Sequence, residues 1–280
     1  MARLGENRYG KSRVRLSRIV RKAERHEFSE WTVQVLLYGD FETSFTEADN
    51  SKVLPTDTMK NTVYYVARGS QAAAIEEFAT ELGDYLLDNH AQIGKVSVEV
   101  EEKSWQPLTF DGVAEATTFK LGGPELQTVA ALRTRGGPWG ITSGVDGLTI
   151  LKTAQSAFTG YVQDKLTTLK PATDRILGTR ATAKWEHATS ATDFGCVRSR
   201  VVPALLKTFA AHGSKSVQHT LFDMGKAALD AAPEIVSIHL AMPNLHHLLA
   251  DLCAFGLDNP NLVFVPIDEP HGTIEATIER

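Results

Sequence analysis

Two cysteines in 280 residues is a low count, and Cys196 and Cys253 stand far apart. There is no C-x-x-C pair, so neither a zinc ribbon nor a dithiol redox motif can be built, and reduced thiols in a cytoplasm are expected. No apolar run is long enough to cross a bilayer as a helix. The opening Met1-Ala2-Arg3-Leu4-Gly5-Glu6 lacks the apolar stretch of a secretory signal. The closing Thr277-Ile278-Glu279-Arg280 lacks the Ser-Lys-Leu peroxisomal address. Positive charge is not in excess: the formal net charge is -5, which gives no electrostatic case for nucleic-acid binding. The locally basic run from Arg3 to Arg25 reads as a solvated strand pair rather than a polyanion site. A Gly-rich dinucleotide loop after a strand is also missing.

What is present is ordinary for a globular chain, with 42% hydrophobic and 22% charged residues and length for one large domain or two modest ones. Residues 12–25 and 30–46 read as two strands joined by a turn at His26–Glu30. In the second, Val33, Val35 and Leu37 keep a period of two that Phe41, Thr43 and Phe45 continue. Helices are predicted over 56–68 and 71–89, the second with Ile75, Phe78, Leu82 and Leu86 on one face. Val96, Val98 and Val100 alternate with polar residues as a half-buried strand, whose partner runs from about Leu108 to Lys120. The second half repeats the plan: strands at 126–135, 146–153 and 181–189, helices at 196–212 and 216–231, strands at 234–242, 262–266 and 273–279. Helices set between antiparallel strand pairs predict an α+β fold with helices on one face of each sheet. The repeated order predicts tandem duplication, with units at 1–135 and 136–280.

The most informative stretch is Leu54-Pro55-Thr56-Asp57-Thr58-Met59-Lys60-Asn61-Thr62-Val63-Tyr64. Proline ahead of Thr-Asp favours a turn that opens a helix, with side-chain oxygens free to cap amides or face a ligand. This stretch resembles the signature of the urate oxidases (uricases). Tyr9-Gly10-Lys11 and Phe41 to Asn50 support the likeness, as do Gly147 to Thr153, Thr167 to Lys170, Asp174 to Leu177, Ser216-Val217-Gln218 and Pro243-Asn244-Leu245-His246, in family order. The resemblance implies two tandem tunnelling-fold (T-fold) units per chain and subunits joined into β-barrels as a homotetramer, which would also pair the open sheet edges. It implies oxidation of urate by O2 to 5-hydroxyisourate and hydrogen peroxide, with no metal or other cofactor and no nucleic-acid or membrane partner. The missing peroxisomal address, typical of eukaryotic uricases, favours a bacterial cytoplasmic enzyme.

The same resemblance assigns roles. Arg175 would grip one edge of the planar urate anion with two parallel donors, and Gln218, with one donor and one acceptor, the other edge. The Val217 amide would add a donor and Phe158 would stack on the ring. Lys11, Thr56 and His246 would form the proton relay: a threonine hydroxyl is too weak a base alone, and a neighbouring amine can take its proton. Asn244 would sit with Thr56 above the ring, where O2 binds, and Asp57 would hold the turn or complete the hydrogen-bond network. Leu245 and Thr159 depart from the family pattern, which has a basic and a bulky residue there. Read singly, an arginine is a surface charge and a phenylalanine is core; the family spacing reverses that. Two alternatives stand beside this reading. One is a metal-dependent pterin or purine enzyme of the same superfamily, for which His239, His246 and His247 would be the ligands. The other is a non-catalytic purine-binding protein, against which Lys11, Thr56 and His246 together speak.

Overall fold

The computed structural model describes residues 2–280, which divide into two compact units: residues 2–145 with 185–197, and 146–184 with 198–280. In the first, β1 (Tyr9–Arg21), β2 (His26–Gly39), β3 (Ile93–Phe110) and β4 (Val113–Thr134) form an antiparallel meander in chain order. Between β2 and β3 lie α1 (Glu42–Thr46), α2 (Thr56–Gly69) and α3 (Ile75–Asn89). The alternation in β2 puts Trp31, Val33, Val35 and Leu37 on the buried face, and Val96, Val98 and Val100 of β3 join them. The stripe Ile75, Phe78, Ala79, Leu82 and Leu86 of α3 and Met59 and Val63 of α2 complete this core. Burying one such side chain is worth roughly 1.5–3 kcal/mol, so helices and sheet stabilise each other far beyond helix propensity.

Two strands and a helix pass from one unit's residues into the other's: β5 (Trp139–Lys152), β6 (Leu177–His187) and α4 (Phe194–Ala211). The second unit adds α5 (Val217–Ala231), β7 (Ile235–Ala241), β8 (Asn244–Leu249), β9 (Phe264–Ile267) and β10 (Glu275–Glu279). β10 pairs antiparallel with β7 in the register Ile278↔Ile238. α5 packs its buried face of Leu221, Met224, Ala228 and Leu229 toward them. Gly225 is where helix and strand come closest, since a Cβ there would lie 2.6 Å from Ile278 Cδ1. β8 pairs with β6 through Gly178↔Leu245 and Thr179↔Asn244, and with β9 through His246↔Ile267. Among the described residues no helix is long and apolar enough to cross a membrane.

The antiparallel α+β architecture agrees with the sequence reading, with corrections of detail. The hairpin turn predicted at His26–Glu30 falls instead at Lys22–Arg25, because Arg21 already pairs with His26 and His26–Glu30 open β2. The strand predicted through residue 46 stops at Gly39. Gly39 packs its Cα against the Gln92 carbonyl, Asp40 N–H donates to that carbonyl at 3.1 Å, and the chain turns. Ser44 and Thr46 hydroxyls then donate to the Phe41 and Glu42 carbonyls, closing the short α1, so the Phe41–Phe45 alternation is a turn with Phe41 buried and Phe45 exposed. The strands predicted at 108–120 and 126–135 are one continuous β4, with a register irregularity opposite Lys103–Trp105 instead of a break.

Three strands of the first unit meet at one carboxylate. Glu30 of β2 accepts from Arg15 of β1 at 3.0 Å and from Lys103 and Trp105 of β3 at 2.6 and 3.1 Å. The Lys103 bond first, then the Arg15 bond, hold the Glu30 carboxyl at about 2, against an ordinary 4.5. A depressed acid contributes stability that is fully present above its unfolded-state value and lost as pH falls through the folded one. Glu30→Gln should therefore lower stability at neutral pH. Urea midpoints of the variant should fall less steeply than those of the parent between pH about 4.5 and about 2. Identical pH slopes would remove Glu30 from this role.

Candidate functional site

The first unit carries Lys11, Thr56 and Asp57 at the start of β1 and of α2. The Tyr9 hydroxyl accepts from Leu54 N–H at 2.8 Å and donates to the Leu54 carbonyl at 3.1 Å, and its ring stands edge-on to Phe41 at 4.8 Å. Burial raises the Tyr9 pKa, and the Leu54 bond offsets part of that, so the phenol remains neutral and holds both bonds. This double bond ties the β1 entry to the chain two residues before Thr56. Next to it Gly10 lies so close to β2 that a Cβ would sit 1.8 Å from the Val35 carbonyl oxygen. A bulge follows: Lys11 pairs with Val35 and Val14 with Val33, one extra residue in β1, with Arg13 at φ 58°. Bulges re-aim side chains, and here the half-buried Lys11 is the last residue before the shift.

Pro55 caps α2 with φ −56° and no side-chain bond to the helix, so the Thr56 hydroxyl is not spent on capping. Among the described residues it has no hydrogen-bond partner, and the residue is exposed at the tip of the helix. Asp57 receives Lys60, and Asn61 Nδ2 at 3.2 Å, one turn along the same helix. The Lys60 bond chiefly pulls the Asp57 carboxyl below the usual carboxylate range, and Lys11 adds to that pull. Lys11 is thus within electrostatic reach of the α2 tip, and Asp57 serves the turn and its local network.

The second unit holds the remaining predicted residues. In the stretch between β5 and β6, Phe158 makes a two-bond bridge with Ala172 (2.8 and 3.0 Å), and Asp174 Oδ1 accepts from Ser156 N–H at 3.1 Å. Ala157 N–H donates to Ser214 O at 2.8 Å and Ser214 N–H to Gln155 O at 2.9 Å, which fastens this stretch to the approach to α5. There Ser216 caps α5 by accepting from His219 N–H at 3.1 Å. The amides of Val217 and Gln218 lie in the first turn, without intrahelical acceptors and at the positive end of the helix dipole. Arg175 sets its guanidinium 5.3 Å from the Phe158 ring centre. The residue is half-buried, its Nε is sealed from solvent with no partner, and burial lowers its pKa, yet an arginine stays charged. Asn244 opens β8 with its N–H on Gly272 O at 3.1 Å, while its buried Oδ1 meets no donor. His246 falls on the same strand face as Asn244, and His247 on the other, against the Leu245 carbonyl at 3.3 Å.

The structure therefore sets Arg175 beside Phe158, ties the neighbouring Ala157 to Ser214 on the approach to Val217–Gln218, places Asn244 and His246 on one face of β8, and brings Lys11 within electrostatic reach of Asp57, the residue after Thr56. Sequence reading missed Tyr161, whose ring stacks on Phe158 at 4.9 Å and 12° and whose hydroxyl donates to Leu169 O at 2.6 Å. Thr159, where the family pattern has a bulky residue, is exposed, and the ring packed on Phe158 is that of Tyr161. The trio His239, His246 and His247 is not gathered: His239 lies on β7 with its Nδ1 3.1 Å from Thr277 Oγ1, and the other two face opposite ways.

Comparison with known proteins gives one family over almost the whole chain. The uricase family model matches residues 7–131 and 141–275. The uricase of Arthrobacter globiformis is 41% identical over 277 residues, covering 99% of this chain and 90% of the relative. That of Dictyostelium discoideum is 37% identical over 283 residues, covering 100% and 98%. The crystal structure of the Arthrobacter globiformis uricase superposes with a TM-score of 0.94 at 40% identity, covering 100% of this chain and 96% of the other.

The Gly10 contact yields a test of the first half of this site. Gly10→Ala must push β1 away from the Val35 carbonyl, which is backbone and cannot rotate aside. Overpacking of this kind costs about 1–3 kcal/mol. The denaturation midpoint of Gly10→Ala should fall accordingly, with a loss of activity larger than stability alone explains because Lys11 is the next residue. A variant of parental midpoint and activity would show that the close approach is not required.

Proposed function

The chain belongs to the uricase family and is a urate oxidase, an oxidoreductase of purine catabolism acting on urate and O2; from that premise we propose the roles of its residues. The observation that carries the assignment is Arg175: a charged, half-buried guanidinium against an aromatic face, with a sealed Nε and no acceptor of its own. Such a group is completed by an anionic planar ligand that returns two hydrogen bonds. Urate is that ligand, lying on Phe158, gripped by Arg175 on one edge and by Gln218 and the Val217 amide on the other. Tyr161 backs Phe158. The half-site of Asn244 and His246 supports O2 and water, with the orphan Asn244 Oδ1 as the acceptor that a bound water or peroxide satisfies.

Thr56, Lys11 and His246 move the protons. The Thr56 hydroxyl takes the second urate proton as it passes its own to the Lys11 amine, giving a dianion electron-rich enough to reduce O2 through a radical pair. Two electrons and two protons leave urate and convert O2 to hydrogen peroxide. Water then adds to the oxidised purine, so urate, O2 and H2O become 5-hydroxyisourate and H2O2. No resident metal, flavin or haem takes part in this scheme. The chain is further proposed to contain tandem T-fold units at 1–135 and 136–280 and to act in a bacterial cytoplasm as a homotetramer. In that assembly, Lys11 and Thr56 of one subunit complete the Arg175, Gln218 and Asn244 half-site of another.

The two halves of the site fail differently when altered. Lys11→Met should lower turnover on the order of 10²–10⁴-fold while a non-reacting planar analogue still binds. Arg175→Ala should instead weaken the analogue by about 2–5 kcal/mol, roughly 30- to 5,000-fold. Loss of urate ultraviolet absorbance and analogue titration measure the two. Near-normal turnover in the first, or unchanged analogue affinity in the second, would remove that residue from its role.

Mixing chains tests the assembly. Inactive Thr56→Ala and inactive Arg175→Ala chains, unfolded and refolded together, should regain part of the parental activity in hybrid tetramers. Hybrids that form and stay inactive would place the whole site within one chain.

A further inference from the structure

Beyond the residues of the urate site, the second unit carries one convergence of metal-ligating side chains among the described residues. His219 and Asp223 are four residues apart on α5 and share one helix face. His212 follows the last turn of α4, with its N–H on Thr208 O at 2.9 Å. His212 Nδ1 lies 3.1 Å from Asp223 Oδ2, and His219 Nε2 lies 3.7 Å from the same oxygen. The three donor atoms all fall within 4.8 Å of one another, and the two imidazoles meet edge to face at 4.5 Å.

We propose that His212, His219 and Asp223 form a three-ligand site for a divalent transition-metal ion, clamping the end of α4 to the first turns of α5. Bonds of about 2.0–2.1 Å in a tetrahedral ion put its donors roughly 3.3 Å apart, against 3.1 and 3.7 Å for the two imidazole–carboxylate separations and at most 4.8 Å for the third. Two imidazoles and one carboxylate suit zinc, nickel or copper and are a poor set for calcium or magnesium, which prefer oxygen alone. His212 is 11% exposed and His219 48%, which leaves the outer side of the site open for water as the fourth ligand. Lys152 spends its ammonium protons on the Phe209 and His212 carbonyls and so fixes the turn that presents the His212 ring. The ion would stand outside the chemistry, since none of the three residues belongs to the proton relay or the urate clamp.

Zinc chloride titrated by calorimetry into the untagged, chelator-treated chain should bind saturably at one equivalent per chain and raise the melting temperature. His219→Gln and Asp223→Asn should each weaken that binding by at least the ~10–100-fold that loss of even an outer partner costs. Both variants should keep parental urate oxidation without zinc, which separates this site from the urate assignment. Absence of saturable zinc binding by the parent overturns the proposal. So does binding that persists in both variants, including binding that disappears only in Cys196→Ser or Cys253→Ser and therefore belongs to a thiol.

Discussion

The approach of β1 to β2 at Gly10 is the contact from which the first half of the site is built. The Val35 carbonyl occupies the space where any other residue would keep its Cβ. Val35 in turn is locked by the alternation that buries Val33, Val35 and Leu37, since a slip of one residue would turn that whole row to solvent. The apolar core therefore fixes β2, β2 fixes Gly10, and Gly10 fixes its neighbours Tyr9 and Lys11. Tyr9 carries the constraint onward to Leu54 and the tip of α2. The positions of an amine and a hydroxyl are consequences of packing that neither group takes part in.

The second half is organised around groups left wanting. A buried donor or acceptor without a partner costs about 1–3 kcal/mol. Arg175 Nε, Asn244 Oδ1, Thr179 Oγ1 and Ser156 Oγ are all in that condition. Two of them, Arg175 and Asn244, are residues the family resemblance assigns to substrate and oxygen. The nearby backbone, by contrast, is bonded through Phe158–Ala172 and Ala157–Ser214–Gln155. Bonded backbone around unsatisfied side chains is the arrangement that pre-organisation for a ligand requires.

Much of this was legible in the sequence. Val96, Val98 and Val100 announced β3, and the Ile75, Phe78, Leu82, Leu86 stripe announced α3, because period and burial coincide there. Pro55-Thr56-Asp57 announced the start of α2 by turn chemistry. The alternation of Phe41, Thr43 and Phe45 misled because a short helical turn and a strand share that spacing over five residues, and the contact of Gly39 with Gln92 that decides between them is long-range. Tyr161 was invisible for a similar reason: only the bridge Phe158–Ala172 and the bond to Leu169 bring its ring onto Phe158. His219 and Asp223 carried a readable four-residue spacing, but the third member, His212, belongs to a different helix end.

The extra residue in β1 between Lys11 and Val14 acts as a phase shift. Upstream and downstream of it the strand obeys the same two-residue alternation, displaced by one step. The shift sets Tyr9 and Lys11 on the same side of the sheet as Val14, opposite Leu37, Val35 and Val33; a regular strand of the same sequence would put them on opposite sides. The parity of the whole β1 entry thus hangs on one surplus residue between Lys11 and Val14, where Ser12 and Arg13 are exposed.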